Sequence, residues 1–170
     1  MERLTLIGMP GSGKSAVGRS VAARLGWEFV DTDHCIERRF GKNLQAVVDE
    51  LDAEEFRRVE EETVLALFPE GHAVISTGGS VVYSEAAMRH LASISTIVFL
   101  ALPIRKLHER IAKEAPRGIV GMSEGGLDEL YETRFALYQR HAHHVVLLND
   151  DTVEEAATRI LSQCQLTSRT

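Results

Sequence analysis

Short apolar runs of β type alternate with stretches of helical period along this 170-residue chain. Leu4-Thr5-Leu6-Ile7, Trp27-Glu28-Phe29-Val30, Ala73-Val74-Ile75-Ser76-Thr77, Thr96-Ile97-Val98-Phe99-Leu100 and Val145 to Leu148 read as five strands. After the first of them, Ala16, Val17, Val21, Ala22 and Leu25 recur at helical spacing, and Gly26 is a natural stop. The spacing predicts a helix from about His34 to Phe40 and a second helical face on Leu44, Val47, Val48 and Leu51. A third runs from Phe56 to Phe68, closed by Pro69-Glu70-Gly71. Ser84 is placed to cap a helix reaching about Leu91, and Pro103 suits the first turn of one reaching about Lys113. A helix from about Leu127 to Arg140 and a last one, capped by Asp151 or Thr152 and ending near Cys164, complete the pattern. Residues 114–126 hold a proline and four glycines without an apolar period and read as a mobile loop; the last six residues read as frayed.

Parallel strands need long crossovers, and the regular alternation supplies them. The expected fold is therefore α/β, a doubly wound sheet of about five parallel strands, with residues 1–170 forming one domain. In such sheets ligands bind beyond the carboxyl ends of the strands. Three groups follow strands here: Gly8 to Ser15, Asp31 with Asp33, and Gly78-Gly79-Ser80.

The first group is the most specific. Gly8-Met9-Pro10-Gly11-Ser12-Gly13-Lys14-Ser15 reads G-x-x-x-x-G-K-S between a strand and a helix, the spacing of a phosphate-binding loop. Its glycines let the backbone curl and turn N–H groups toward phosphate oxygens. Lys14 reaches the β- and γ-phosphates, Ser15 is placed to ligate Mg²⁺, and the helix N-terminus at Ala16 favours the same anion. A nucleoside triphosphate ligand follows.

Asp31 and Asp33 can divide the labour of holding Mg²⁺ and orienting or deprotonating an acceptor hydroxyl, or one of them caps the next helix. The Gly78-Gly79 pair lets backbone lie against a ligand, or is a plain turn. Arg57 and Arg58, inside Glu54-Glu55-Phe56-Arg57-Arg58-Val59-Glu60-Glu61-Glu62, read most simply as a solvated charged face, and Arg117 and Arg134 are unremarkable alone. His141, His143 and His144 fit no zinc spacing.

Composition narrows the partners. Nineteen basic against twenty-five acidic residues give a net charge of −6, which offers no general attraction to nucleic acid or anionic lipid. Cys35 and Cys164 lack metal-ligand spacing and read as reduced thiols. With no leader before the first strand and no long apolar run, the expected location is cytoplasmic.

Taken in order, the P-loop, D-x-D at Asp31 and Asp33, F-R-x-x-E from Phe56, the Gly-Gly turn, Arg117 and R-x-x-L-Y from Arg134 resemble the shikimate kinase family over nearly the whole chain. The resemblance implies a P-loop kinase of the nucleoside monophosphate kinase type, with a lid over about 114–126, that uses ATP and Mg²⁺ and is a monomer. It implies that Gly8, Gly11, Ser12, Gly13, Lys14, Ser15 and Ala16 bind the nucleotide with Arg110, that Ser15 and Asp31 hold the metal, and that Asp33 is the base. Arg57 and Arg134 would clamp the acceptor's carboxylate, Gly78, Gly79 and Ser80 would lie along the acceptor, and Arg117 would reach the transferring phosphoryl group.

The chain departs from the family pattern at two places. Ser80 stands where a third glycine is usual, and Gly118 follows Arg117 where proline is usual. A side chain at Ser80 narrows the acceptor pocket or adds a hydrogen bond, which keeps homoserine kinase as the main enzymatic alternative to shikimate phosphorylation. A nucleoside monophosphate kinase, a non-catalytic nucleotide-binding module and a nucleic-acid-binding P-loop protein are the remaining readings, disfavoured by the carboxylate-type arginines, the complete catalytic set and the net charge.

Overall fold

The computed structural model describes residues 2–112 and 126–167. Its centre is a five-stranded sheet of β1 (Arg3–Ile7), β2 (Glu28–Asp31), β3 (Ala73–Ser76), β4 (Thr96–Ala101) and β5 (His144–Leu147). The strand order is β2-β3-β1-β4-β5 and every pairing is parallel. The central strand aligns Leu4 with Val74 on one side and Leu6 with Val98 on the other. Helices cover both faces, so Leu4, Leu6, Val74, Ile75, Ile97, Val98, Phe99 and Leu100 are all buried. This is the doubly wound sheet that the alternating pattern predicts.

Helix α1 (Lys14–Leu25) links β1 to β2, and α5 (Glu85–Ile94) links β3 to β4. Between β2 and β3 lie three helices, α2 (Thr32–Phe40), α3 (Leu44–Glu50) and α4 (Ala53–Leu65). They build a second small core of their own, Ile36, Val47 and Phe56, lined by Phe40, Leu44, Val48, Leu51 and Val59. Helices α6 (Ile104–Ile111) and α7 (Gly126–His141) lie between β4 and β5, and α8 (Val153–Gln163) packs on α1.

The differences from the sequence pattern have local causes. Helix α2 begins at Thr32, two residues before His34, because Asp31 Oδ1 accepts the Asp33 N–H at 3.1 Å and caps it. Asp33 therefore sits in a first helical turn rather than on a strand end. Helix α4 starts at Ala53 behind a reciprocal cap between Asp52 and Glu55, and stops at Leu65 rather than Phe68. Pro69 disfavours helical backbone at the residue before it, and Phe68 is left 71% exposed. Trp27 precedes β2 and stacks on His72, with ring centroids 5.1 Å apart. A 3₁₀ turn, Val81–Tyr83, was not expected; Ser84 caps α5 as the sequence predicts, and Thr152 rather than Asp151 caps α8.

Of the six terminal residues read as frayed, Leu166 is tied to Leu161 by a 2.9 Å backbone bond, and 168–170 lie outside the described residues. The expected loop and lid at 114–126 lie outside them too, apart from Gly126, which starts α7. Cys35 and Cys164 are both free, His143 Nδ1 accepts the Ile97 N–H at 2.8 Å, and no group of described residues has the arrangement of a His, Cys or carboxylate metal cluster. No described helix is long and apolar enough to cross a membrane.

Candidate active site

The loop from Gly8 to Gly13 leaves the carboxyl end of the central strand and runs straight into α1. Gly8 has φ +149, and a Cβ there would lie 2.8 Å from the Leu100 carbonyl oxygen of β4. Only glycine lets the loop start so close to the neighbouring strand. Gly11 and Gly13 also have positive φ, and Ser12 N–H donates to Met9 O at 3.1 Å, closing the curl. Lys14 folds back across it and donates from Nζ to Gly8 O and Met9 O, both at 2.9 Å. Burial lowers the Lys14 pKa to about 8, against the upward pull of Asp33 and Asp31.

Helix α6 brings Arg110 to the outer side of this loop, where Nη1 donates to Gly11 O at 3.3 Å. Ala16 is exposed in the first turn of α1. The Ser12 hydroxyl is buried without a hydrogen-bond partner among the described residues. A cradle kept free of Cβ atoms, two cations, a helix N-terminus and an unsatisfied hydroxyl fit a polyphosphate.

Ser15 Oγ donates to Asp31 Oδ2 at 2.7 Å and lies 3.3 Å from Ser76 Oγ. The hydroxyl that opens α1 and the carboxylate that closes β2 thus meet in one place, with oxygen donors suited to a hard divalent cation such as Mg²⁺. Asp31 thus caps α2, as one reading of the D-x-D pair expects, and also accepts from Ser15.

The third group closes the site from β3. Gly78 N–H donates to Thr32 Oγ1 at 3.1 Å, and a Cβ on Gly78 would run into Glu60 and come within 3.0 Å of Asp33 Oδ1. A Cβ on Gly79 would meet both Pro10 Cδ at 2.8 Å and Arg134 Nη1 at 3.0 Å. The Tyr138 hydroxyl donates to Gly79 O at 2.6 Å and holds this turn in place. The Gly79 position thus crowds against both the phosphate loop and Arg134.

Arg134 is 1% exposed, and Arg57 is half-buried. Both guanidinium groups sit over one ring, Tyr83, with Cζ 4.2 Å from its centroid for Arg57 and 5.3 Å for Arg134. Arg134 Nε also donates to the Tyr83 hydroxyl at 3.4 Å. The solvated charged face expected of this helix is real only in part. Arg58 pairs with Glu54 at 2.5 Å in the open, but Arg57 turns inward. Arg117 lies outside the described residues.

Two contributors were given no role in the sequence reading, although Glu60 is the last residue of the F-R-x-x-E motif. Tyr83, the shared platform, is one; Glu60 is the other. Glu60 is buried, receives a hydrogen bond from Ser80 Oγ, and has its pKa raised to about 7 by burial. Its signal was the spacing: Phe56, Glu60 and Val64 lie four apart and all face inward, so Glu60 occupies an apolar stripe. The expectation that Ser80 reshapes the acceptor pocket is corrected as well. Ser80 is buried and its hydroxyl is turned to Glu60, so the hydrogen bond it adds is internal. That removes the residue basis for homoserine.

Comparison with known proteins agrees with this geometry. The sequence model of the shikimate kinase family matches residues 10–165. The shikimate kinase of Paracidovorax citrulli is 38% identical over 145 residues, covering 83% of this chain and 79% of its own. That of Thermodesulfovibrio yellowstonii is 32% identical over 165 residues, covering 96% and 95%. Among solved structures, shikimate kinase from Acinetobacter baumannii in complex with shikimate superposes with a TM-score of 0.88 at 28% identity, over 97% of this chain and 93% of that one. None of these names a homoserine kinase or a non-catalytic nucleotide-binding module. The P-loop, the paired aspartates and the buried arginine beside the Gly-Gly turn place this chain in the shikimate kinase family.

Proposed function

We propose that the protein transfers the γ-phosphate of ATP to a hydroxyl of shikimate, giving shikimate 3-phosphate and ADP. The observation that carries this reading is the crowding at Gly79, where a Cβ would meet both Pro10 Cδ of the phosphate loop at 2.8 Å and Arg134 Nη1 at 3.0 Å, so that the loop and the arginine converge on one point. A small carboxylate held by the arginine would lie beside the phosphate loop. Such closeness of acceptor and phosphate sites is what direct phosphoryl transfer requires.

In this reading Gly8, Gly11, Ser12, Gly13, Lys14, Ser15, Ala16 and Arg110 bind the nucleotide, and Ser15 and Asp31 would hold Mg²⁺. When bound, the metal offsets phosphate charge during transfer. Lys14 supplies a fixed cation at the β- and γ-phosphates, and Arg117 a second at the moving phosphoryl group. Arg57 and Arg134 orient the acceptor through its carboxylate while Gly78, Gly79 and Ser80 line it. Asp33 accepts the hydroxyl proton as the oxygen bonds to phosphorus and the bond to ADP breaks. The chain acts as one domain, a monomer in the cytoplasm; that it has no nucleic-acid or membrane partner is supported by its net charge of −6.

The test is ADP release by purified protein with Mg-ATP and, separately, shikimate, homoserine or CMP. Turnover with shikimate alone is the expected result; turnover with homoserine or CMP and none with shikimate would overturn the proposal. Asp33→Asn should then lower kcat by about two to four orders of magnitude, as removal of a general base does.

A further inference from the structure

Where the family usually has a third glycine, this chain carries a hydroxyl, and the structure shows what that hydroxyl touches. Ser80 Oγ donates to Glu60 Oε2 in the interior, with Ser80 and Glu60 both 4% exposed. Glu60 Oε1 is held against the Gly78 backbone, where a Cβ would displace it, and Asp33 Oδ1 is the next neighbour of that same point. Glu60 is thus held from α4 against the Gly-rich turn, with Asp33 beside it at Gly78 and Arg134 at the next residue, Gly79.

We propose that Ser80 is a positioning residue for the acceptor site: its hydroxyl anchors the Glu60 carboxylate beside Asp33 and the two arginines, and so sets the charge against which the acceptor's carboxylate binds. The inference rests on the reading that the acceptor carries a carboxylate. Charged groups face Glu60 from every side of the site. Asp33 comes from α2, Lys14 from the start of α1, Arg57 from its own helix, and Arg134 with the phenol of Tyr138 from α7.

The consequences follow from electrostatics. An ionised Glu60 offsets one of the two arginine charges and repels an incoming carboxylate; a protonated one does neither. Acceptor binding therefore weakens as Glu60 loses its proton. The Ser80 hydroxyl favours the ionised form because it donates to it, while burial opposes that form, and the balance lies near neutral pH. Replacing the hydroxyl by hydrogen shifts the balance toward the protonated form.

Two measurements test this on wild type, Ser80→Gly, Ser80→Ala and Ser80→Thr, each checked by thermal unfolding. The first is the ¹³C carboxyl titration of Glu60 in substrate-free protein, assigned with Glu60→Gln. The second is the pH profile of KM for shikimate. In Ser80→Gly and Ser80→Ala both midpoints should move up by about one pH unit, the size expected for losing one hydrogen bond to a charged group. Ser80→Thr, which keeps the hydroxyl, should titrate like wild type.

Superimposable Glu60 titrations in wild type and Ser80→Gly overturn the proposal. So does a shifted titration with an unmoved KM profile. A wild type that ignores shikimate defeats the acceptor reading instead, and the substrate-free titration still decides whether Ser80 governs Glu60.

Discussion

Ser15 Oγ donates to Asp31 Oδ2 across 2.7 Å, so a residue in the first turn of the helix after the phosphate loop is joined to the one that ends β2. Asp31 simultaneously accepts the Asp33 N–H and caps α2. One carboxylate therefore ties together the helix that opens at the nucleotide loop, the proposed metal position and the helix carrying the proposed base.

Asp31→Asn separates these duties. Asparagine caps a helix about as well as aspartate, so stability should change by less than about 1 kcal/mol. The negative charge near the metal is lost, and the Mg²⁺ concentration for half-maximal rate should rise about tenfold. Thermal unfolding and Mg²⁺ titration of initial rates check both halves; an unchanged Mg²⁺ requirement would remove Asp31 from the metal site.

Arg134 and Arg57 are separable from the nucleotide. Arg134→Lys keeps the charge but loses the planar fork that grips a carboxylate from two nitrogens. The acceptor KM should rise about tenfold or more, corresponding to about 1.4 kcal/mol, with the ATP KM within about twofold. Arg57→Ala should move the same constant in the same direction. Equal losses for both substrates would contradict the carboxylate clamp.

The two glycines predict contrasting outcomes. A methyl on Gly78 meets Glu60 and Asp33, so Gly78→Ala should disturb acceptor binding while ATP binding survives. A methyl on Gly79 meets Pro10 as well as Arg134, so Gly79→Ala should weaken both substrates. Crowding of this kind costs about 1–3 kcal/mol, visible in chemical denaturation of either variant. Identical KM patterns for the two would mean that the turn is only a connection.

Glu60 makes stability depend on pH. Its pKa is raised from 4.5 to about 7 on folding, chiefly by burial, so the folded state holds the proton more tightly than the unfolded chain. The associated stability is fully present below pH 4.5 and is lost as pH rises toward 7, by up to about 3 kcal/mol. Glu60→Gln has no proton to lose there. Denaturation at intervals from pH 4.5 to 8 should show the variant gaining on wild type as pH rises; parallel curves would show that Glu60 is not buried in the cost-bearing form.

What was legible in the sequence was what is contiguous. The P-loop spans eight neighbouring residues, and its roles follow from backbone conformation and the helix it opens, so the motif alone carried it. The apolar runs were equally readable, because a parallel sheet covered on both faces demands them. The acceptor side was not. On a single helix, Arg57 and Arg58 have the same chemistry, and only packing of α4 against the Gly-rich turn sends one to Tyr83 and leaves the other to Glu54 in solvent. Arg134 looked ordinary because its partners, Gly79 and Tyr83, lie far away in the chain.

By itself, then, the sequence determined the parallel α/β sheet, the phosphate loop at its central strand and, through the order of its motifs, the family. Tertiary structure alone decided that Glu60 is a buried acid rather than part of a charged surface, and that the Ser80 hydroxyl is turned onto it instead of toward an acceptor. The physical reason is that local sequence dictates backbone shape and hydrophobic period. The charge state and direction of a polar side chain depend on the dielectric and partners that distant segments bring to it.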